Sequence, residues 1–525
     1  MKMRFSPGFL LLSEADYSRV CMFSILALSA LLRLSFLTSN PIGFYADEAS
    51  IGYDAYSILK TGRDQYGEFL PLFARTFGGY DEALHRYLVV PFVAVLGLTE
   101  FAVRLPNALI GILTVWVLYI LVKVWFNRRV ALLSALFLAI SPWHIQFSRW
   151  SVRAIMLPLF FCLGLYFFLR CQKHPRYIFL SALTFAVCLH TYSSARVFVP
   201  LFLIGLIILL WEILWKIRNW TIWACVLFLS IFVPLCMFWI SPEGMTRADT
   251  LIVRDLGAIL RNYVAYFDPR FLFFKGDPNL RHSPLFVGQL HYVECITVLA
   301  GILGLRKQKR REDRIVWLWL FLYPIPAALT EPNHAIRSIA GAPLFATLSG
   351  YGVYYLANNI ARTGNLKTYT ILSISILAIS CGIFCKRYFR DYPKDSIVWW
   401  QYGMKEILSF AERSPHPCLI HGRLYSFMPT YIFVLFYTQF PPSEYQRLPL
   451  HLREGLWQTE RPLGKYYTVN VAELVIRRGT YLLVIRPDDL KEIIKKGYRW
   501  HKAHTVSDPC GNKIFEIIEV TGSEP

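Results

Sequence analysis

The chain has 525 residues, of which 55% are hydrophobic and only 17% are charged. A soluble protein of this length would carry more charge, so the composition excludes an ordinary string of soluble domains. The formal net charge is +20, and much of the excess lies in short loops between apolar runs. That distribution indicates orientation in a membrane rather than a nucleic-acid partner.

The apolar residues fall into repeated runs of about 17–22, long enough to cross roughly 30 Å of hydrocarbon as helices. Only helices and closed barrels satisfy their backbone there, and these runs are too long and too uniformly apolar for barrel strands. The run 87–98 contains Pro91 and is short, so we predict that it lies in the interface or re-enters it. We predict about eleven spans, at residues 20–38, 106–125, 130–142, 154–169, 177–191, 197–215, 220–240, 290–305, 315–330, 338–357 and 369–386.

Lysine and arginine in the short loops predict the orientation of these spans, because both are favoured on the cytoplasmic side. Every second loop is basic, starting from the N-terminus: Lys2, Arg4 and Arg19; Arg128 and Arg129; Arg170, Lys173 and Arg176; Lys216 and Arg218; residues 306–314; Arg362 and Lys367. This alternation predicts a multi-pass protein of the cytoplasmic (inner) membrane with a cytoplasmic N-terminus. An odd number of spans then places the C-terminal part outside.

The same scheme divides the chain into two domains. Residues 1–387 form a transmembrane module with long external loops at 39–105 and 241–289, and residues 388–525 form a smaller extracytoplasmic α/β domain. The fold class is therefore a polytopic α-helical membrane protein with an appended α/β domain. Cys418 and Cys510 both fall in that domain, where they could form a disulfide or remain two unpaired thiols.

The first external loop begins with an acidic pair, Asp47 and Glu48, within about ten residues of the end of the first span. A carboxylate at the membrane surface can take a proton from an acceptor hydroxyl while the bilayer presents a lipid-borne group. The alternative is an ordinary solvated acidic pair.

A second acidic pair, Asp81 and Glu82, is followed closely by His85 and Arg86. These side chains are candidates for substrate binding or an auxiliary role. The alternative is a local ion-pair network at the start of a helix, where acidic residues suit the helix dipole.

Several short outer loops carry cations that the positive-inside rule disfavours. Arginine binds phosphate bidentately and stays charged in a poorly hydrated site, so a phosphate at the membrane surface is a natural partner. The alternative is contact with lipid headgroups or snorkelling to the interface. The residues concerned are Arg149 and Arg153, Arg196, and His334 with Arg337.

The loop 241–289 combines charged residues with aromatic rings between 263 and 274, a mixture suited to a sugar or to the membrane interface. The sequence has no P-loop, so ATP-driven transport has no support. It has no zinc-type spacing and predicts no metal site and no required cofactor, although the acidic residues could hold a divalent cation.

The segment FYADEASIGYDAYSILKTGRDQYGEFLPLF, followed by EFAVRLPNALIG and SPWHIQFSR, resembles bacterial membrane glycosyltransferases of the GT-C class. It is most similar to the branch related to protein O-mannosyltransferases and the lipid A aminoarabinose transferase. The resemblance covers about residues 20–390 and is most specific at 41–112. It implies a GT-C type fold and transfer of a sugar from a polyprenyl-phosphate carrier to an acceptor on the outer face, with inversion. Asp47 matches the position of the family's catalytic base.

The resemblance has one departure. Many relatives have Lys-Pro-Pro, whose lysine is thought to hold the donor phosphate, where this chain has Asp81, Glu82 and Ala83. Arg86, His85 or the outer-loop arginines would have to replace that lysine.

We therefore expect a glycosyltransferase in which Asp47 is the base, Glu48 positions the acceptor or a cation, and Arg149, Arg196 and Arg337 stabilise the phosphate. The alternative is a non-catalytic carrier or flippase for lipid-linked saccharides, or a scaffold. The sequence does not identify the sugar, the acceptor (protein, lipid or polysaccharide) or the oligomeric state.

Overall fold

The computed structural model describes residues 14–77, 79–245, 251–308, 313–360, 366–422, 424–425, 429–448, 462–476 and 478–522. Lys2, Arg4 and Arg362, which contribute to the predicted orientation, lie outside these residues, as does the middle of the basic run 306–314.

The first part of the described chain is helical apart from one hairpin. The strands of that hairpin, β1 and β2, are Phe73–Thr76 and Gly79–Glu82 and pair antiparallel. The helices up to residue 245 are Glu14–Leu34, Ala46–Thr61, Leu84–Leu96, Glu100–Trp125, Arg128–Ile140, Pro142–Ser148, Met156–Arg170, Tyr177–Leu189, Ala195–Lys216, Arg218–Trp239 and Pro242–Met245, with a short 3-10 turn at Arg153–Ile155.

The rest of the transmembrane part is also helical. Its helices are Leu256–Ala265, a π-helical turn at Arg270–Phe274, Glu294–Gln308, Asp313–Leu322, Ile325–Ala328, Gly341–Ile360, Leu366–Arg390 and Tyr392–Asp395.

Each predicted span overlaps a helix, but fewer helices are long and apolar enough to cross a membrane. Among the described residues six qualify, and a seventh if Arg128–Ile140 and Pro142–Ser148, bent by 58°, form one span. Prolines explain part of the difference. The predicted span 315–330 ends as a helix at Leu322, and a short helix resumes at Ile325 beyond Pro324, because proline cannot donate the backbone hydrogen bond and restricts the residue before it. The predicted count of eleven stays a prediction.

Long helices of this part bury one side and expose apolar side chains on the other. Arg218–Trp239 is the clearest case, since Trp223, Val226 and Met237 are each at least half exposed. Such a face is unfavourable in water and suits the hydrocarbon of a bilayer, whose tails are as apolar as leucine. The architecture is therefore that of a multi-pass helical membrane protein.

The C-terminal part contains a mixed six-stranded sheet in the order β4-β5-β3-β6-β8-β7. β3 lies in its middle, parallel to β5 and β6, whereas the other neighbouring pairs are antiparallel. The elements are the helix Met404–Arg413, β3 Cys418–His421, the helices Tyr431–Tyr437 and Pro442–Tyr445, β4 Pro462–Leu463, β5 Tyr466–Val469, β6 Thr480–Ile485, the helix Leu490–Lys495, β7 Arg499–Ser507 and β8 Lys513–Thr521. Cys418 is buried in β3 and Cys510 is exposed, and both are free thiols.

This C-terminal unit packs on the loop 39–105 and shares a hydrophobic core with it. The ring of Phe44 lies 4.7 Å from that of Phe436, and the hydroxyl of Tyr53 donates to the carbonyl of Phe440 at 2.8 Å. The loop that carries the acidic pair is therefore held between the helical part and the C-terminal unit.

Candidate active site

Asp47 and Glu48 lie in the first turn of the helix Ala46–Thr61, where negative charge suits the helix dipole. Adjacent residues of a helix point about 100° apart, so the two carboxylates have different surroundings. Asp47 is exposed, while Glu48 is fully buried.

Glu48 is engaged inside the protein. Its carboxylate pairs with Arg104 at 2.8 Å and accepts hydrogen bonds from the backbone N–H groups of Ser151 and Tyr45 at 2.9 and 3.2 Å. A side chain with these partners fixes the loop and does not reach a substrate. The predicted contact of Glu48 with an acceptor or a cation therefore has no counterpart in this geometry.

Asp47 lines a cavity of about 270 Å³ that gathers residues from distant parts of the chain. Asp81, Arg86 and His334 were among the predicted site residues and also line it. The other polar residues of its wall are Tyr45, Thr76, Ser151, Arg153, Tyr192, Asn279, Arg281 and His282.

Arg86 is almost fully buried at this wall. Its Nε donates to Asp54 at 2.6 Å, and neither side chain is more than 1% exposed. Its Nη1 has no hydrogen-bond partner among the described residues. A buried donor without a partner is costly, so an anion that enters the cavity would gain a strong charge-assisted hydrogen bond there.

Arg281 offers a second cation to the same cavity. Its guanidinium lies over the ring of Tyr45, 4.0 Å from the centroid, and its Nε has no partner in the part of the chain that the structure describes. Arg86 and Arg281 thus both line the cavity that Asp47 lines, and each has one buried nitrogen without a partner among the described residues.

The Asp81–Glu82 pair is bound to arginines. Arg153 pairs with Asp81 at 2.7 Å and with Glu82 at 2.5 Å, and Arg196 pairs with the other oxygen of Glu82 at 2.9 Å. An ion-pair network exists here, but it joins β2 to the turn Arg153–Ile155 and to the helix Ala195–Lys216 and is not local to one helix start.

A second cavity, of about 240 Å³, adjoins the first and shares Asp81, Arg153 and Tyr192 with it. Arg196 and Arg337 line this second cavity. Arg337 pairs with Glu331 at 2.8 Å. The apolar wall of the second cavity includes Val197, Leu251, Ile252, Pro326 and Leu329.

Two histidines and a carboxylate could hold a cation beside the first cavity. One potential ligand atom from each of Asp277, His282 and His334 lies within 4.8 Å of the others. His282 Nδ1 is 2.8 Å from the Asp277 carboxylate. Burial, with His282 and Arg337 nearby, lowers the pKa of His334 well below its usual range, so its imidazole is neutral and suited to ligation.

The structure places three predicted site residues away from both cavities: Glu48, described above, Arg149 and His85. Arg149 is fully buried and donates to the carbonyls of Leu32, Ser35, Phe36 and Asn40 at 2.6–3.2 Å. It caps the end of the first helix. His85 is also fully buried, with Nε2 2.6 Å from Asn107 Oδ1.

Sequence reasoning left Arg153, Arg281 and His282 out of the site. Arg153 belongs to the same outer-loop cations as Arg149, and Arg281 and His282 lie in the polar, aromatic loop 241–289. The sequence therefore indicated a polar or charged setting for each of the three residues. Only the fold shows that they lie beside Asp47.

The chain matches a family model, "Dolichyl-phosphate-mannose-protein mannosyltransferase", over residues 83–239. No curated protein matches its sequence.

Solved structures share its architecture over nearly the whole length. ArnT from Cupriavidus metallidurans in the apo state is similar with a TM-score of 0.59 and 14% identity, over 97% of this chain and 98% of that one. ArnT from the same organism bound to undecaprenyl phosphate gives 0.56 and 11%, with the same coverage. The predicted resemblance to GT-C membrane glycosyltransferases is confirmed: the family model that matches residues 83–239 is that of a mannosyltransferase, and the ArnT structures share the fold of this chain.

Proposed function

We propose that this chain transfers a sugar from a polyprenyl-phosphate-linked donor to an acceptor on the extracytoplasmic face of the cytoplasmic membrane. The observation that carries the proposal is one cavity whose wall brings the exposed residue Asp47 together with two arginines, Arg86 and Arg281. A base for an acceptor hydroxyl and cations for a phosphate are what such a displacement needs.

In the proposed step, Asp47 takes the proton of the acceptor hydroxyl as its oxygen bonds to the anomeric carbon of the sugar. The bond from that carbon to the phosphate oxygen breaks, and its electron pair leaves with polyprenyl phosphate. One displacement with one base inverts the anomeric configuration. Arg86 and Arg281 stabilise the charge that grows on the phosphate.

Arg196 and Arg337 belong to the adjoining cavity, whose apolar wall suits the first units of a polyprenyl chain. The family match and the ArnT-like fold support this assignment, because the matched family takes dolichyl-phosphate-mannose and one ArnT structure holds undecaprenyl phosphate.

The experiment is release of undecaprenyl phosphate by the full-length protein in proteoliposomes, given a panel of undecaprenyl-phosphate-linked hexoses and pentoses with a cell-envelope extract as acceptor. A transferase releases undecaprenyl phosphate and labels an acceptor with at least one donor. Movement of a donor across the bilayer without release would establish the carrier alternative. If the protein causes neither release nor movement, the scaffold alternative is supported.

The anion site is tested separately with undecaprenyl phosphate as the probe. Arg281→Gln should weaken its binding by about 10- to 100-fold, the scale of a hydrogen bond to a charged group. Arg270→Gln is the matched control, since Arg270 is exposed in the same loop and lines neither cavity. Equal binding by the two variants would contradict the assignment.

A further inference from the structure

The C-terminal unit makes a hydrogen bond to the residue next to Asp47. Gln401 Oε1 accepts a hydrogen bond from the backbone N–H of Ala46 at 2.8 Å. Ala46 immediately precedes Asp47 and is the first residue of the helix Ala46–Thr61. The two bonded residues are 355 positions apart in the chain.

This bond meets a specific need of the helix. The first N–H groups of a helix have no partner within it and must be satisfied from outside. Ala46 is fully buried and Gln401 is 4% exposed, so water does not replace the bond if it is lost. Glu48 satisfies the neighbouring N–H of Tyr45.

The backbone of Gln401 is itself unusual. Its φ is 52°, in the left-handed region that residues other than glycine seldom adopt. Such a conformation is strained and persists only where the surroundings impose it. Strained residues of this kind cluster at functional sites.

The neighbouring residue, Trp400, presses the same segment against the loop. Its indole packs 5.3 Å from Trp150, which lines the first cavity, and its carbonyl oxygen lies only 2.0 Å from where a Cβ on Gly43 would be. No side chain fits between the two segments at that point. The turn 400–401 therefore has a fixed position relative to residues 43–46.

We infer that Gln401 is a positioning residue for Asp47: its amide oxygen fixes where the first turn of the helix Ala46–Thr61 begins and hence where the Asp47 carboxylate points. The C-terminal unit then completes the active site of the helical part rather than being only an appendage. This inference rests on the proposed function of Asp47.

Three variants test it. Gln401→Leu keeps the approximate size and removes the acceptor. Gln401→Glu keeps an oxygen that accepts from Ala46. Gln446→Leu is the matched control, because Gln446 also joins the C-terminal unit to the first loop, through Nε2 bonds of 2.9–3.0 Å to Ser57, Thr61 and Asp64, away from Asp47.

With the undecaprenyl-phosphate-linked donor that the wild type uses, Gln401→Leu should lower kcat by about tenfold or more, while the donor KM stays within about twofold. Gln401→Glu should recover most of kcat and shift the acidic limb of the pH–rate profile upward, because it adds a negative charge near Asp47. Gln446→Leu should keep kcat even where it lowers Tm. An unchanged kcat in Gln401→Leu, or an equal loss in Gln446→Leu, overturns the inference.

Hydrogen–deuterium exchange of the full chain separates this result from failure of the proposed function. Gln401→Leu should speed exchange at the amides of residues 43–50, and Gln446→Leu only at 57–64. If the wild type uses no donor of the panel, the proposed function fails, but exchange still decides the positioning. Unchanged exchange at 43–50 in Gln401→Leu would show that the bond does not hold the turn.

Discussion

The carboxylate of Glu48 and the guanidinium of Arg104 form an ion pair of 2.8 Å in which neither side chain is exposed. Arg104 also donates to the carbonyls of Leu37, Pro41 and Gly43 at 2.5–3.1 Å. One arginine of the helix Glu100–Trp125 thus holds both the entry to the acidic loop and the residue next to Asp47. The buried pair sets the path along which the loop reaches the cavity.

Arg104→Met should destabilise the protein strongly, because it leaves the Glu48 carboxylate buried without a counter-charge. Breaking such a pair from one side costs about 3–5 kcal/mol. Thermal unfolding in detergent measures this as a fall in Tm. The double variant Arg104→Met/Glu48→Gln should recover part of the loss, and a single variant as stable as the wild type would contradict the account.

Placing a lysine at position 81, where the family resemblance implies one, should impair this chain. Asp81→Lys places a like charge beside Arg153, which is only 12% exposed and now pairs with Asp81 at 2.7 Å. We expect lower Tm and lower release of undecaprenyl phosphate than in Asp81→Asn, which carries no added positive charge. Higher activity in Asp81→Lys than in the wild type would contradict this expectation and show that a lysine at position 81 can still hold the donor phosphate.

Asp64 should make stability depend on pH. Burial, and next the Asp54 charge, raise the pKa of Asp64 in the folded state from its ordinary value of 3.8 to about 7. Between these values the folded protein holds a proton that the unfolded chain has lost, so this contribution to stability declines as pH rises from about 4 to 7.

Asp64→Asn keeps an oxygen that can accept from the N–H groups of Tyr66 and Glu68, and it cannot ionise. The fall in Tm between about pH 5 and pH 8 should therefore be smaller in Asp64→Asn than in the wild type. Asp395→Asn, at an exposed position, should leave the fall unchanged. A steeper fall in Asp64→Asn would reverse the sign worked out here.

The predicted outer location of the C-terminal unit can be read from a native thiol. Cys510 is exposed and Cys418 is buried in the same unit. A membrane-impermeant maleimide should label Cys510 in right-side-out vesicles and not in sealed inside-out vesicles, with Cys510→Ser as the unlabelled control. The opposite pattern would place the unit, and the acidic loop packed on it, in the cytoplasm.

Position along the chain predicted Asp47 and Arg86 as site residues of one loop after one span, and the structure brings both to one cavity. Position was not enough for Arg149. Its outer-loop setting is the same as that of Arg196, but the carbonyls left unpaired at the end of the helix Glu14–Leu34 occupy its guanidinium. Whether a ligand or the unpaired carbonyls of a helix end occupy an arginine depends on the tertiary structure.

The helices were predictable from apolar runs, and their usable lengths were not. Pro324 interrupts one predicted span, and the run after Ser141 bends into a separate helix. Likewise Arg281 reaches Tyr45 across 236 positions, and no periodicity relates the two. For residues that meet only through long-range packing, the sequence indicates a suitable side-chain type but does not identify the contact partner.

The most direct test of the account is Asp47→Asn, assayed for sugar transfer and for binding of undecaprenyl phosphate in the same preparation. We expect transfer to fall by about 100-fold or more, as for loss of a general base, with binding of undecaprenyl phosphate not weakened. Asp395→Asn should lose neither. Transfer at the wild-type rate in Asp47→Asn would remove Asp47 as the base and contradict the mechanism.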